Sequence, residues 1–276
     1  MMSPAIQVVM MLVCTAAFAD DRNGAAADAA LPAINVVATR DPVDKSYRKM
    51  LKGMDVFEQK HGMAPTASLR YKLLPRQRDT NMGGIALEIL GDSFTIPVVL
   101  APDRTFTLER NQKALDEDAS VRPNRKADSM TWRTDVRTPG LPPDTRRLGD
   151  LRLECHVGME ADLVSNVLPV IGQISRLLDR MRDYCDKSDA HYYFFAERPL
   201  FSVTLVAGTR REILSVDELY AGSSDDPLSK TDLAYCDCQV LLDRTYYMPL
   251  GDRSWPDDTQ VEFEYMEDKI EDAAAR

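Results

Sequence analysis

Apolar and polar residues alternate with a period of two along much of the chain, most cleanly in Gly83–Glu109. Ile85, Leu87 and Ile89 alternate with Ala86, Glu88 and Leu90. Phe94, Ile96, Val98 and Leu100 alternate with Thr95, Pro97 and Val99, and Phe106 and Leu108 with Thr105 and Thr107. A strand with one buried face produces this repeat. Three consecutive strands are therefore predicted, joined by turns at Gly91-Asp92 and Ala101-Pro102-Asp103-Arg104, the second with Pro at its favoured position.

The same repeat recurs on both sides. In Ser68–Leu74, Leu69, Tyr71 and Leu73 point one way and Arg70 and Lys72 the other, as in an antiparallel strand with one wet face. Met130–Thr134 is a short strand with Trp132 as a core candidate. Leu151, Leu153, Cys155 and Val157 define another strand, with Arg152, Glu154 and His156 on its opposite face. Later strands are predicted at Phe201–Leu205, Arg211–Val216, Tyr235–Leu242, Tyr246–Leu250 and Gln260–Met266, with Val261, Phe263 and Tyr265 facing inward. Asn111–Lys126 reads as a polar, solvated turn, and Pro139–Pro143 as a stiff linker.

Two stretches change period. In Asp44–Gly62, Tyr47, Met50, Leu51, Met54 and Phe57 form an apolar stripe at helical spacing, with Asp44 as N-cap and Gly62 as stop. In Ala161–Asp186 the apolar residues recur at three and four, and Pro169 predicts a break. The expected fold is mainly β (α+β): antiparallel β-sandwich-like modules with an N-terminal amphipathic helix and a central helical connector. The expected order is a signal peptide (1–19), a flexible leader (20–43) and a first β-rich module with its helix (44–158). A helical connector (159–190), then a second β-rich module with an acidic tail (191–276), complete it.

Charge and the N-terminus change the functional picture. Lys and Arg number 34 against 44 Asp and Glu, a formal net charge of -10. That argues against a general nucleic-acid partner, which needs a basic face. Arg70, Lys72, Arg76 and Arg78 cluster, and the solvated face of a strand accounts for them. Residues 1–19 read as a secretory signal: Ile6–Phe18 is mostly apolar and Ala17-Phe18-Ala19 fits a cleavage site before Asp20. An uncleaved anchor is the competing reading. No later run reaches the roughly 20 apolar residues of a membrane span, so no integral membrane segment is expected after signal removal.

Of 5 cysteines, Cys14 departs with the signal. Cys155, Cys185, Cys236 and Cys238 remain, and an even count in an exported chain predicts disulfides. Cys236 and Cys238 lie two apart in an extended run, about 6.5–7 Å between Cα atoms, at the edge of disulfide reach. Each is therefore expected to bond outward, one to Cys155 and one to Cys185. A soft-metal site from Cys236, Cys238 and His156 is the alternative, and an oxidising compartment disfavours it.

Three short resemblances bear on function. Leu31–Arg40, LPAINVVATR, resembles the TonB box of outer-membrane TonB-dependent transporters, which implies engagement of TonB; its residues alone read as an edge strand. Gly91-Asp92-Ser93-Phe94 resembles the first block of GDSL-type hydrolases, where Ser is the nucleophile. That family's Asp-x-x-His is missing: Ser188 stands three residues before His191. The hairpins are similar in pattern to prealbumin-like sandwich modules of exported proteins. An internal echo pairs Val99–Phe106 with Val240–Tyr246, and Pro142–Thr145 with Pro256–Thr259.

Chemistry is otherwise sparse. His61 adjoins a helix end, where it complements the dipole. His156 sits on an outer strand face, and His191 precedes the aromatic run Tyr192–Phe195. The acidic run Asp116-Glu117-Asp118 lacks the donor spacing of an EF-hand. No phosphate-binding glycine loop occurs. No catalytic residue, cofactor or metal is expected. The sequence reads as an exported, periplasmic or secreted protein that binds or scaffolds a protein or polymer of the cell envelope without catalysis. An envelope hydrolase with a dispersed active site is the alternative.

Overall fold

The computed structural model describes residues 44–76, 79–126, 129–163, 184–188, 190, 192–220 and 241–266. All lie within the unit Val37–Arg276. In chain order the elements are β1 (Lys45–Ser46), α1 (Tyr47–Lys60), β2 (Ser68–Pro75), β3 (Leu87–Leu90), β4 (Thr95–Val98) and β5 (Thr105–Phe106). They continue with α2 (Gln112–Asp116), β6 (Ser120–Pro123), β7 (Met130–Arg137), β8 (Thr145–Arg147) and α3 (Leu148–Glu160). The last are β9 (Phe194–Phe195), β10 (Leu200–Ala207), β11 (Arg210–Ile213), β12 (Thr245–Tyr246) and β13 (Gln260–Tyr265). The fold is mainly antiparallel β with a few helices, in the sheets β1-β6-β3-β4, β5-β2-β7, β11-β10-β13-β8 and β12-β9.

Helix α1 forms where its apolar stripe predicts it. Tyr47, Met50 and Leu51 are buried. Its cap is Ser46, whose hydroxyl accepts from Lys49 N at 3.4 Å, and not Asp44, which pairs with Arg122 instead. The chain tightens into a 3-10 turn at His61–Met63.

The three-strand run of Gly83–Glu109 is split between two sheets. β3 and β4 form the expected hairpin around Gly91–Phe94. β4 is then an edge, as suits Pro97, which has no N–H to donate. The Ala101–Arg104 turn, with Arg104 in the left-handed region (φ 64°), carries Thr105-Phe106 across to β2. Burial decides the transfer, because Phe106 packs edge-on against Trp132 and beside Tyr71. The supposed solvated turn at Asn111–Lys126 also needs correction. It holds α2, capped by Asn111, and strand β6, whose Val121 is fully buried. Val121 is the one large apolar residue of β6, so no alternation marks the strand.

The largest correction concerns Leu151–Val157, which is the middle of α3 and not a strand. On a helix each residue turns 100°, so residues four apart share a face and residues two apart lie nearly opposite. Strict alternation thus sorts into four faces: Leu151 with Cys155, Leu153 with Val157, Asp150 with Glu154, and Arg152 with His156. The two apolar faces enter different cores. Leu151 and Cys155 join Phe194, Val203, Tyr246, Trp255 and Val261. Leu153 and Val157 join Ala64, Ala67 and Val136. A helix buried from Leu148 to Gly158 has no solvent face and so loses the 3.6-residue signal.

The polar faces of α3 each tie down a loop. Asp150 accepts from Thr138 N at 2.9 Å and its hydroxyl at 2.7 Å. Arg152 donates to Leu250 O at 2.8 Å, Asp252 O at 2.7 Å and Asp257 at 2.6 Å. Close packing also shaped the glycines: a Cβ on Gly53 would lie 2.8 Å from that of Ala161, where α1 approaches α3.

In the second half β10, β11 and β13 lie where strands are predicted, but Val216 belongs to a 3-10 turn, Leu242 opens another, and Tyr246–Leu250 leaves the strand after Tyr246. A register shift between Leu200 and Ser202 breaks the alternation, so Phe201 faces solvent at 62% exposure while Val203 and Leu205 are buried. Both echo segments end in a two-residue strand after a turn closed by arginine. Arg104 N donates to Ala101 O at 2.8 Å, and Arg244 N to Leu241 O at 2.9 Å. Thr145 and Thr259, from the second echo, lie at the adjoining strands β8 and β13. No helix among the described residues is long and apolar enough to cross a membrane. The signal, the leader with Leu31–Arg40, most of the connector, the Cys-x-Cys strand and the acidic tail lie outside the described residues.

Candidate functional site

Alternation on two neighbouring strands builds a charged surface. In the β2–β7 ladder Ser68 pairs with Arg137, Arg70 with Asp135, and Lys72 with Arg133. Side chains directly opposite share a face, so Arg70, Lys72, Arg133, Asp135 and Arg137 project together. The other face carries Tyr71, Leu73 and Trp132 into the core. The polar face is not simply wet, as Arg70 and Lys72 alone suggested. Asp135 and Arg133 are buried, and the Lys72 side chain is only 14% exposed.

Asp135 sits between two guanidinium groups. Arg70 Nη2 donates to its Oδ2 at 2.7 Å, and Arg137 Nε to its Oδ1 at 2.8 Å. Arg137 Nη2 reaches Glu197 at 2.8 Å. Lys72 Nζ contacts both Glu197 oxygens, at 2.7 and 3.0 Å. The guanidinium of Arg133 lies over the Phe195 ring, 4.7 Å from its centroid. Arg133 also donates to Leu163 O at 2.9 Å.

A buried ion pair borders this face. Arg146 Nη2 donates to Glu154 Oε2 at 2.6 Å and to Val136 O at 2.7 Å. Glu154 Oε2 also accepts from Val136 N at 3.1 Å. The pair therefore stands in for a neighbouring strand along the edge of β7, satisfying a backbone donor and acceptor that burial would leave bare. The ladder, Glu154, Arg146 and the Tyr193–Glu197 segment together line a shallow, open cleft.

The electrostatics follow from this packing. Burial raises the Asp135 carboxyl, but the charges of Arg137 and Arg146 outweigh it and hold it below the ordinary carboxylate range. Burial lowers Arg146, and the Glu154 carboxylate more than reverses this. Two donors on one Glu154 oxygen fit an ionised carboxylate, although burial by itself raises that group. Beside them, burial pushes the Tyr192 phenol up to about 12.

A depressed carboxyl contributes stability that is present above its unfolded value and lost as pH falls through the folded one. Asp135→Asn should therefore unfold at lower urea concentration than the native chain at pH 7. The gap between the two midpoints should shrink steadily as pH falls below the ordinary carboxylate range, where the native carboxyl protonates. A gap unchanged over that range would show that the Asp135 charge contributes nothing to folding.

No family model matches this sequence, and neither the curated proteins nor the solved structures contain a significant match.

The residues singled out by sequence are dispersed. Cys155 and Cys185 are bonded to each other, across 30 residues and with Cα atoms 6.0 Å apart. That corrects the expected pairing of each with Cys236 or Cys238, which lie outside the described residues. The bond joins α3 to the 3-10 turn Tyr184–Asp186. An α3 misread as a strand could not reveal that Cys155 faces this turn.

His156, expected on an outer face, is buried, with Nε2 3.6 Å from Asp186 Oδ2. Burial, with Lys60 nearby, lowers its pKa against the pull of Asp186. His61 Nε2 lies 3.1 Å from Ala67 O, and His191 is outside the described residues. Ser93 occupies the β3–β4 turn, its hydroxyl donating to Glu117 at 2.6 Å and its N–H at 2.8 Å. Asp118 pairs with Arg48 at 3.2 Å. Among the described residues no three His, Cys, Asp or Glu side chains converge as metal ligands do.

Sequence reasoning missed Arg133, Asp135, Arg137, Arg146 and Glu197 altogether. The signal for three of them was available, since Arg133, Asp135 and Arg137 alternate with Thr134 and Val136 as Arg70 and Lys72 alternate with Tyr71.

Proposed function

We propose that this chain is an exported, non-enzymatic protein that binds another component of the cell envelope through the charged cleft on β2 and β7. The supporting observation is the arrangement of its carboxylates. Asp135 is clamped by Arg70 and Arg137, and Glu197 is held by Lys72 and Arg137. Carboxylates tied to cations at these distances suit recognition better than proton transfer. The Cys155–Cys185 bond supports maturation in an oxidising compartment, periplasmic or extracellular.

Glu154 favours the second reading, an envelope hydrolase, because it is a buried carboxyl raised by its surroundings on the cleft wall. Its single engaged oxygen already serves Arg146 and Val136, which favours the binding role.

The test is affinity capture from envelope extracts of the native host, using the oxidised chain without residues 1–19. The native protein should retain a component that Lys72→Gln releases. Equal retention by both proteins would remove the cleft from the account.

A further inference from the structure

We propose that Lys72 and Arg137 form a receptor for a carboxylate group, and that Glu197 fills it until a ligand carboxylate displaces it. This rests on the cleft being a recognition site and names the chemistry that it recognises.

The receptor is already in use within the molecule. Lys72 Nζ bridges both oxygens of Glu197 at 2.7 and 3.0 Å, and Arg137 Nη2 meets one of them at 2.8 Å. These are charge-assisted contacts of the strong kind. The cations come from two strands of one ladder, four register positions apart, and their long side chains converge on Glu197. Arg137 is further oriented by Asp135 through its Nε, leaving Nη2 aimed at the cleft. Asp135 is a positioning residue here.

Glu197 is placed so that it can leave. It lies between β9 and β10, and its side chain is 50% exposed. Its backbone is held independently of its carboxylate, because Arg244 Nη1 donates to Glu197 O at 2.8 Å. Ala196 N donates to Arg244 O at 2.8 Å, anchoring the same turn. The side chain can therefore swing into solvent without moving the strand ends. Glu197 is the exposed member and Lys72 the shielded one, so breaking the pair leaves a shielded cation that an incoming carboxylate satisfies through the same contacts. Arg137 also holds Asp135, so Lys72 is the cation given chiefly to Glu197, and an incoming carboxylate takes over the contacts that Glu197 gives up. Side chains of acidic peptides and free carboxylates share this chemistry.

The decisive variants act in opposite directions. Glu197→Gln removes the internal competitor while keeping its shape, and Lys72→Gln removes half of the receptor. Each is titrated calorimetrically at low ionic strength with an end-blocked hexaglutamate peptide, N-acetylglutamate and sodium sulfate. Near-ultraviolet circular dichroism checks that each variant is folded, and Lys72→Met replaces Lys72→Gln where the latter is not. Glu197→Gln should bind hexaglutamate about fivefold more tightly than the native chain, the gain from vacating an occupied site. Lys72→Gln should bind it at least about tenfold more weakly.

Comparable binding of N-acetylglutamate would identify free carboxylates as sufficient, and binding of hexaglutamate alone would identify chain-borne acid. Unchanged or weaker binding by Glu197→Gln would overturn the proposal, as would sulfate binding as tightly as either carboxylate. Lys72-dependent capture of an envelope component by a chain that ignores hexaglutamate would overturn the carboxylate assignment and leave the recognition cleft standing.

Discussion

Glu154→Leu is expected to destabilise the protein by about 3–5 kcal/mol, the range for removing one partner of a buried ion pair. Arg146 is the reason. Its side chain is 4% exposed, and without Glu154 its charge remains in the interior without the carboxylate that balances it. Val136 N loses its acceptor in the same step. At many buried pairs, replacing both partners with apolar residues recovers the loss. Here Arg146→Met with Glu154→Leu should not recover it, because both polar groups of Val136 would then be left bare, at about 1–3 kcal/mol each. Glu154→Gln should cost less than Glu154→Leu, since its amide oxygen still accepts from Val136 N. Urea unfolding at pH 7, followed by the fluorescence of the buried Trp132 and Trp255, gives all three values. A double variant as stable as the native chain would show that the pair does not act as a surrogate strand.

Cys155→Ala with Cys185→Ala should lower stability by about 3–4 kcal/mol. The bond closes 30 residues, and the loss of unfolded-chain entropy for a loop of that size is about 3.6 kcal/mol at 25 °C. The cysteines are buried at both ends, so their removal also leaves space inside the second core. The effect should be visible as a shift of the urea midpoint between the oxidised native chain and the double variant. Reduction of the native chain should produce a similar shift. Digestion without reduction, followed by mass spectrometry, should recover Cys155 and Cys185 in one linked pair of peptides. Recovery of Cys155 linked to Cys236 or Cys238 would contradict the observed pairing, and a shift below about 1 kcal/mol would show that the crosslink does little for this fold.

Both predictions depend on α3, the element that the sequence disguised most. Its residues alternate because two opposite apolar faces and two opposite polar faces are all buried, so no solvent side marks the turn of the helix. The charged residues within it looked like the wet side of a strand. They are instead the partners of loops and strand edges distant in sequence: Arg152 meets Asp257, 105 residues away. The candidate cleft was half legible. Arg70 and Lys72 were read correctly as one face of β2, while Glu197 and Arg146 come from segments whose proximity only the fold creates. Phe201 and Phe106 illustrate the same boundary. A local bulge turned one outward, and a left-handed turn carried the other to a sheet that its neighbours do not join.

What residue order determined alone is the mainly antiparallel character of the fold, the α1 stripe and the inward face of most strands. A period of two or 3.6 is written into consecutive residues, and burial of one face is enough to enforce it. Tertiary structure decided which strands share a sheet, which cysteines bond and which charges meet in the cleft. Those choices turn on contacts such as Cys155–Cys185, 30 residues apart, and Lys72–Glu197, 125 apart, where the local repeat carries no information about the partner.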